Sequence, residues 1–196
     1  MSTERRAEIL RAAREIAMRG GLAAISVRSV AAEAGIGAST LRHYFPTQRE
    51  LHDAVAAALM DEQLDDLRIA DAGLDPAARL TECLAQFLPQ SDERIHDLDR
   101  WLALHHAVRK GEADPAPLAA MSARAAERID AWLETLAEEG VLRDAPRQRH
   151  LATVLAVVDG VCLGLLTGTS LATVADALEV VDATVRHTVV ASGRAP

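Results

Sequence analysis

The capacity of this sequence for polar chemistry is concentrated in one short run, Ala38-Ser39-Thr40-Leu41-Arg42-His43-Tyr44-Phe45. Leu41, Tyr44 and Phe45 recur at helical spacing and form an apolar back, with Ile36 just ahead of them. Ala38, Ser39, Arg42 and His43 are left outward, with Thr40 at the flank. A helix that begins with small residues and carries an arginine one turn later can enter a DNA major groove. The guanidinium of Arg42 can present two donors to O6 and N7 of a guanine, or it can touch phosphate only. His43 is the second candidate for a base edge. Catalytic chemistry has no comparable footing. The chain lacks a Gly-x-Ser-x-Gly elbow, a phosphate loop, a dinucleotide fingerprint and a His-Glu-x-x-His pair. Its seven histidines are scattered without the carboxylates an acid–base site needs nearby. No enzymatic activity, cofactor or metal is expected. The two cysteines, Cys83 and Cys162, fit no zinc or redox spacing and read as buried free thiols in a reducing cytoplasm.

The elements that must hold this run are equally legible. Ser26 is placed to cap a helix starting at Val27. Val27, Val30, Ala31 and Ala34 share one face of that helix, and Ala31 lies where a second helix would cross it. Gly35 sits at the helix end, where a left-handed residue is needed and a Cβ is costly. Small residue, glycine and apolar positions agree in register with a helix-turn-helix; an αα-hairpin inside a helical bundle is the competing reading. Ser26, Arg28 and Thr47 stand at helix starts, whose free N–H groups and dipole favour an anion such as a DNA phosphate.

The chain has 196 residues, enough for one core or for a small domain joined to a larger one. Nearly half are apolar, dominated by Ala, Leu and Val, and few segments alternate with the period of a strand. An all-α fold is therefore expected. No N-terminal stretch has the pattern of a signal peptide. The net charge of −8 is unevenly divided. Residues 1 to 60 carry eight arginines against six acids, a net of +2, which leaves −10 on the remainder. A modestly basic head on an acidic body suits a protein with separate nucleic-acid and ligand domains.

Residues 5 to 55 resemble the DNA-binding domain of the TetR family of bacterial repressors. The resemblance is carried by Ile9-Leu10-Arg11-Ala12-Ala13, by Gly21-Leu22-Ala23-Ala24-Ile25-Ser26-Val27-Arg28, and above all by Thr40-Leu41-Arg42-His43-Tyr44-Phe45-Pro46 followed by Glu50-Leu51. It implies a three-helix reading domain, a helical ligand-binding domain behind it, and a homodimer. It also implies phosphate contacts by Thr40 and Tyr44. The sequence departs from the family in having Arg42 where an aromatic residue commonly precedes the His-Tyr-Phe. The block around Val158-Asp159-Gly160-Val161 is more loosely similar to the C-terminal domain of the choline-responsive branch of that family; no ligand is carried over.

Helical punctuation divides the rest. A first helix runs from near Thr3 to Gly20-Gly21, with Leu22 and Ile25 tucked under the head. Pro46 ends the recognition helix, and Thr47 with Glu50 forms a capping box for a fourth helix through Leu51, Val55, Leu59 and Leu67 to about Ala70. Further helices are expected over 76–88, after the cap Asp75, and over 91–109, 117–139, 147–167 and 171–190. Residues 147–167 are apolar on nearly every face. A membrane span is the alternative, but Asp159 interrupts the run and a span needs ~20 predominantly apolar residues. A helix apolar all round packs against its own core and, most simply, a second subunit.

These readings place a helix-turn-helix DNA-binding domain at 1–46 and an effector-binding and dimerisation domain at 47–196. Its candidate DNA contacts are Ser26, Arg28, Ala38, Ser39, Thr40, Arg42, His43, Tyr44 and Thr47. The candidate effector-lining residues are Phe87, Trp101, His105, Met121, Trp132, Asp159 and Cys162. Each of the latter is equally at home as structure: Asp159, expected inside an apolar helix, either pairs within the core or meets a polar group of a ligand. The expected protein is a cytoplasmic, ligand-responsive repressor that binds a partly palindromic operator as a homodimer through its two C-terminal helices. A helical small-molecule-binding protein without DNA binding is the alternative.

Overall fold

In a computed structural model the protein is described over residues 2–21, 24–168 and 171–191. Nine α-helices are assigned among these residues: α1 (Ser2–Gly20), α2 (Val27–Glu33), α3 (Ala38–Tyr44), α4 (Gln48–Gln63), α5 (Pro76–Ala85), α6 (Asp97–Arg109), α7 (Ala116–Glu138), α8 (Arg147–Thr167) and α9 (Val174–Thr184). Extended structure among the described residues is confined to an isolated antiparallel bridge between Leu142 and Val190. The all-α expectation holds.

Two compact units form, and α6 and α7 each contribute residues to both: one unit comprises Met1–Gln63 with Leu104–Ala125, the other Leu64–Ala103 with Ala126–Pro196. In the first, α1 packs on α2 and α4, and α2 packs on α3. Ile9, Ala13, Ile16, Ile25, Val30, Ala31, Leu41, Phe45, Leu51 and Val55 make its core. Ile25 is where the sequence put it; Leu22 lies outside the described residues. Asp61 of α4 and Arg124 of α7 pair at 2.6 Å, and Arg14 pairs with Glu62.

In the second unit α8 packs on α9 and α5 packs on α9. By length and composition α8 could cross a membrane, but Val154, Val158, Val161, Cys162 and Leu165 are buried in the unit's own core. Gly140, left-handed at φ +70°, ends α7: its N–H and that of Val141 donate to the carbonyls of Ala137 and Leu136 at 2.9 and 3.2 Å. Beyond α9 the chain makes a π turn over Val185–Val189. Hydrogen bonds of 2.8 Å from Arg143 N to Val189 O and from Ala191 N to Val141 O then stitch it to the α7–α8 connection.

Several helix ends differ from their sequence expectation, and at the fourth and last helices side chains satisfy the backbone in place of the helical ladder. The fourth helix was expected to reach Ala70 but stops at Gln63. Gln86 brackets Asp65, its Oε1 accepting from Asp65 N and its Nε2 donating to Asp65 O, both at 2.8 Å. Arg128 donates to Leu64 O at 2.8 Å, and Leu67 adopts φ +44°. The 76–88 helix ends at Ala85. The 91–109 segment breaks into a 3₁₀ turn at Asp92–Arg94 and then α6. Asp92 instead accepts from Val174 N at 2.7 Å. The last helix begins at Val174 because Thr173 and Asp176 cap each other's backbone N–H groups at 3.1 and 3.0 Å.

Candidate nucleic-acid interface

The reading head is built from short-range signals. Ser26 Oγ accepts from Ser29 N at 3.0 Å, while Ser29 Oγ accepts from Ser26 N at 2.9 Å, a reciprocal capping box that starts α2. Gly35, at φ +64°, ends it. The Ile36 N–H donates to Ala31 O at 2.9 Å and Gly35 N–H to Ala32 O at 3.2 Å, so two terminal carbonyls are satisfied inside the turn. Ala31, 4% exposed, keeps α2 and α3 close. Three residues beyond Gly35, α3 begins.

Leu41 and Phe45 are buried beneath α3, at 0% and 1% exposure. Ala38, Ser39, Thr40, Arg42 and His43 are all exposed, and Tyr44 is half-buried. The Tyr44 and His43 rings meet edge-on, 5.4 Å apart between centroids at 83°. Arg28 is exposed on α2, and Ser26 is half-buried with its hydroxyl engaged in the cap. Thr47 is exposed, and its Oγ1 accepts from Glu50 N at 3.1 Å, completing one half of the expected box at the start of α4.

Charge on this unit is sorted. Arg5 pairs with Glu8, Arg19 with Glu33, and Arg49 with Asp53. Arg28 and Arg42 have no carboxylate partner among the described residues, so each is available to an external anion. Arg6, which sequence reasoning did not single out, lies over the Phe45 ring at 5.0 Å and props the end of α3 from α1. No local pattern announces that contact, since it joins residues 39 positions apart in a cation–π pair.

A helix-turn-helix with this capping, this buried back and this outward polar face has close counterparts. Residues 9–55 match the family described as "Bacterial regulatory proteins, tetR family". This likeness to the TetR family covers the reading head, residues 9–55. That family consists of non-enzymatic, DNA-binding transcription regulators. Among curated relatives, the HTH-type transcriptional regulator PksA of Bacillus subtilis (strain 168) is 35% identical over 103 residues, 51% of this chain and 49% of that protein. The match thus spans about half the length of the curated relative. A transcriptional regulator from Rhodococcus sp. Rha1 superposes with a TM-score of 0.57 at 27% identity, over 92% of this chain and 93% of that one. The multidrug binding protein EbrR, solved with proflavin, superposes with a TM-score of 0.50 at 28% identity, over 90% of this chain and 97% of its own.

The effector candidates are distributed unevenly along the chain. In the second unit Phe87, Trp132 and Cys162 come together. The Phe87 and Trp132 rings stand 6.2 Å apart at 68°, and Cys162 Sγ lies 3.9 Å from Phe87 O. Trp132 is buried and donates from Nε1 to Asp66 Oδ1 at 2.8 Å. Burial pushes the Cys162 thiol up to about 11, with the nearby Asp159 charge adding to it. Trp101 is 36% exposed on α6; His105 and Met121 are half-buried and belong to the first unit. Asp159 was expected inside the core and is instead exposed on α8. The helix is not apolar all round: Ala152, Ala156, Asp159, Gly160 and Leu163 form an outward stripe, Leu163 at 46% exposure. A half-open hollow of about 260 Å³ lies in the first unit, lined by Arg49, Asp53, Pro115 and Ala116, Ala119, Ala120 and Ala123 of α7. It contains none of the seven effector candidates.

Proposed function

We propose that this protein is a ligand-responsive transcriptional repressor that binds a partly palindromic operator as a homodimer, with residues 1–46 reading DNA and 47–196 holding effector and partner. The observation that carries this reading is the outward face of α3. Arg42 and His43 stand exposed one turn beyond Ala38 and Ser39, Leu41 between them and the core is buried, and Arg42 has no carboxylate partner among the described residues. Arg42 and His43 address base edges; Thr40, Tyr44, Arg28, Thr47 and the Ser26 end of α2 address phosphates.

The dimer forms through α8 and α9. Support comes from the outward stripe Ala152, Ala156, Gly160 and Leu163, joined by Val180 and Ala183 on α9, all exposed in the single chain. Small residues there let a partner's helices approach closely, as in a four-helix bundle. Val181 and Val185 are buried within the chain and belong to its own core.

The effector is a mostly apolar or amphipathic organic molecule bound in the second unit beside Phe87, Trp132 and Cys162. The likeness to the multidrug binding protein EbrR, solved with proflavin, supports that class. Its binding releases the operator only by favouring the DNA-incompetent state, by the same factor in both directions. The experiment is a selection of DNA from a random pool, followed by electrophoretic shifts. Bound sequences with twofold symmetry, and affinity that falls as the logarithm of salt rises, are expected. No bound DNA at low salt would refute the reading and leave a helical small-molecule-binding protein.

A further inference from the structure

Two side chains of α4 reach back to the loop that starts the helix-turn-helix. Gln48, the first residue of α4, accepts from Val27 N through Oε1 at 3.1 Å and donates from Nε2 to Ile25 O, also at 3.1 Å. One turn later His52, only 2% exposed, brings its Nε2 to 3.1 Å from the same carbonyl and 3.1 Å from Gln48 Nε2. The bond from Val27 fixes the amide: its oxygen faces Val27 and its nitrogen faces Ile25. The His52 Nδ1 is buried without a partner among the described residues. A proton there would be an orphaned buried donor, whereas an empty lone pair costs less, so the ring carries its proton on Nε2 and donates to Ile25 O. That oxygen has two lone pairs and accepts both donors.

The position of this pair gives it a role beyond packing. Val27 is the first residue of α2, and its N–H is one of the donors a helix start leaves without an intrahelical partner. Ser26 takes the N–H of Ser29, and Gln48 takes that of Val27 from a different helix. The start of α2 is therefore capped partly from α4, the helix that continues directly into the chain of the second unit at Leu64. Turning α4 drags Ile25 and Val27, and with them α2 and the α3 that packs on it.

We propose that Gln48 and His52 are positioning residues that lock the angle of the reading head to α4 and so set the half-site spacing the dimer accepts. This rests on the DNA-binding reading above. It differs from a generic stabilising role, which would weaken binding to every spacing alike.

The test uses full-length protein, the best sequence from the random-pool selection, and a panel of duplexes with the half-sites moved one to three base pairs together or apart. Wild type should prefer one spacing by about tenfold or more. Gln48→Met and His52→Phe, which keep shape but lose the bonds, should flatten that preference, with thermal midpoints close to wild type. Gln48→Glu, which keeps the acceptor for Val27, should restore part of it. A DNA-free readout runs beside this: in Gln48→Met the Val27 amide should exchange about tenfold faster while α1 amides are unchanged. An unaltered spacing profile, or one lowered by the same factor at all spacings, overturns the proposal. If wild type selects no DNA, the regulator reading falls. The clamp is then judged on Val27 exchange, and unchanged exchange overturns it.

Discussion

Arg79 is 2% exposed, and replacing it with leucine should destabilise the second unit by a predictable amount. Its Nη1 donates to Ile69 O at 2.5 Å and to Glu139 Oε1 at 2.9 Å, and its Nη2 donates to Glu139 Oε2 at 2.5 Å. In Arg79→Leu the aliphatic stem is retained, so the loss is polar. The Ile69 carbonyl, on a residue only 4% exposed, is left unpaired at ~1–3 kcal/mol. Glu139 is 23% exposed on its side chain and rehydrates in part, adding ~1 kcal/mol, below the ~3–5 kcal/mol of a fully buried broken pair. The Arg79 Nε, buried without a partner among the described residues, disappears with the side chain and offsets about 1 kcal/mol. The net is a loss of about 1–3 kcal/mol at neutral pH. The hydrogen bonds from Arg79 hold the Glu139 carboxyl below its usual range. The pair's contribution is therefore whole above the ordinary glutamate range and is lost as pH falls through the depressed one. The gap between wild type and Arg79→Leu should narrow below about pH 4. Both tryptophans, Trp101 and Trp132, lie in this unit, so urea unfolding followed by tryptophan fluorescence reads it directly. A loss under about 1 kcal/mol, or a gap that widens on acidification, would refute the reasoning.

Three further outcomes are expected. Arg42→Ala should relax preference at one guanine per half-site by ~1–3 kcal/mol, while Arg28→Ala weakens all duplexes alike; binding constants on operator and scrambled DNA distinguish the two. Leu163→Arg should yield a monomer of unchanged helix content that no longer retains operator, as seen by sedimentation and electrophoretic shift; a dimeric variant would place the interface elsewhere. Burial pushes the Cys83 thiol up to about 12 and that of Cys162 to about 11, so both should resist thiol reagents in the native protein and react once it is unfolded. Rapid labelling of the native chain would contradict their burial.

What the sequence made legible depended on how far each cause lies along the chain. Ser26, Gly35 and the spacing of Val30, Ala31 and Leu41 act within a few residues, so the helix-turn-helix and its outward face were readable in full. The end of α4 was not: Asp65, Asp66 and Leu67 contain no breaker, and the helix stops because Gln86 and Arg128, 21 and 64 residues away, claim its carbonyls and N–H groups. The same distance hid Gln48 and His52, whose contacts reach back 21 to 27 residues. On α8 and α9 valine-rich composition gave no direction. Val181 faces the chain's own core while Val180, its neighbour, faces out, and only the packed helices tell the two apart.

The stitch between Val141–Arg143 and Val189–Ala191 has a consequence for synthesis. Segments about 50 residues apart must meet before the second unit closes, and at ~5–20 residues per second a ribosome takes about 3–10 s to cover that distance. During that interval α8 has been made but α9 has not, so the valines at 154, 158 and 161 lack the helix that packs beside them. The reading head has no such wait beyond residue 125. A nascent chain should therefore hold a finished N-terminal head while its C-terminal half still exposes unpacked valines. Conditions that slow elongation near the C-terminus should raise its demand for chaperones and leave the finished protein unchanged.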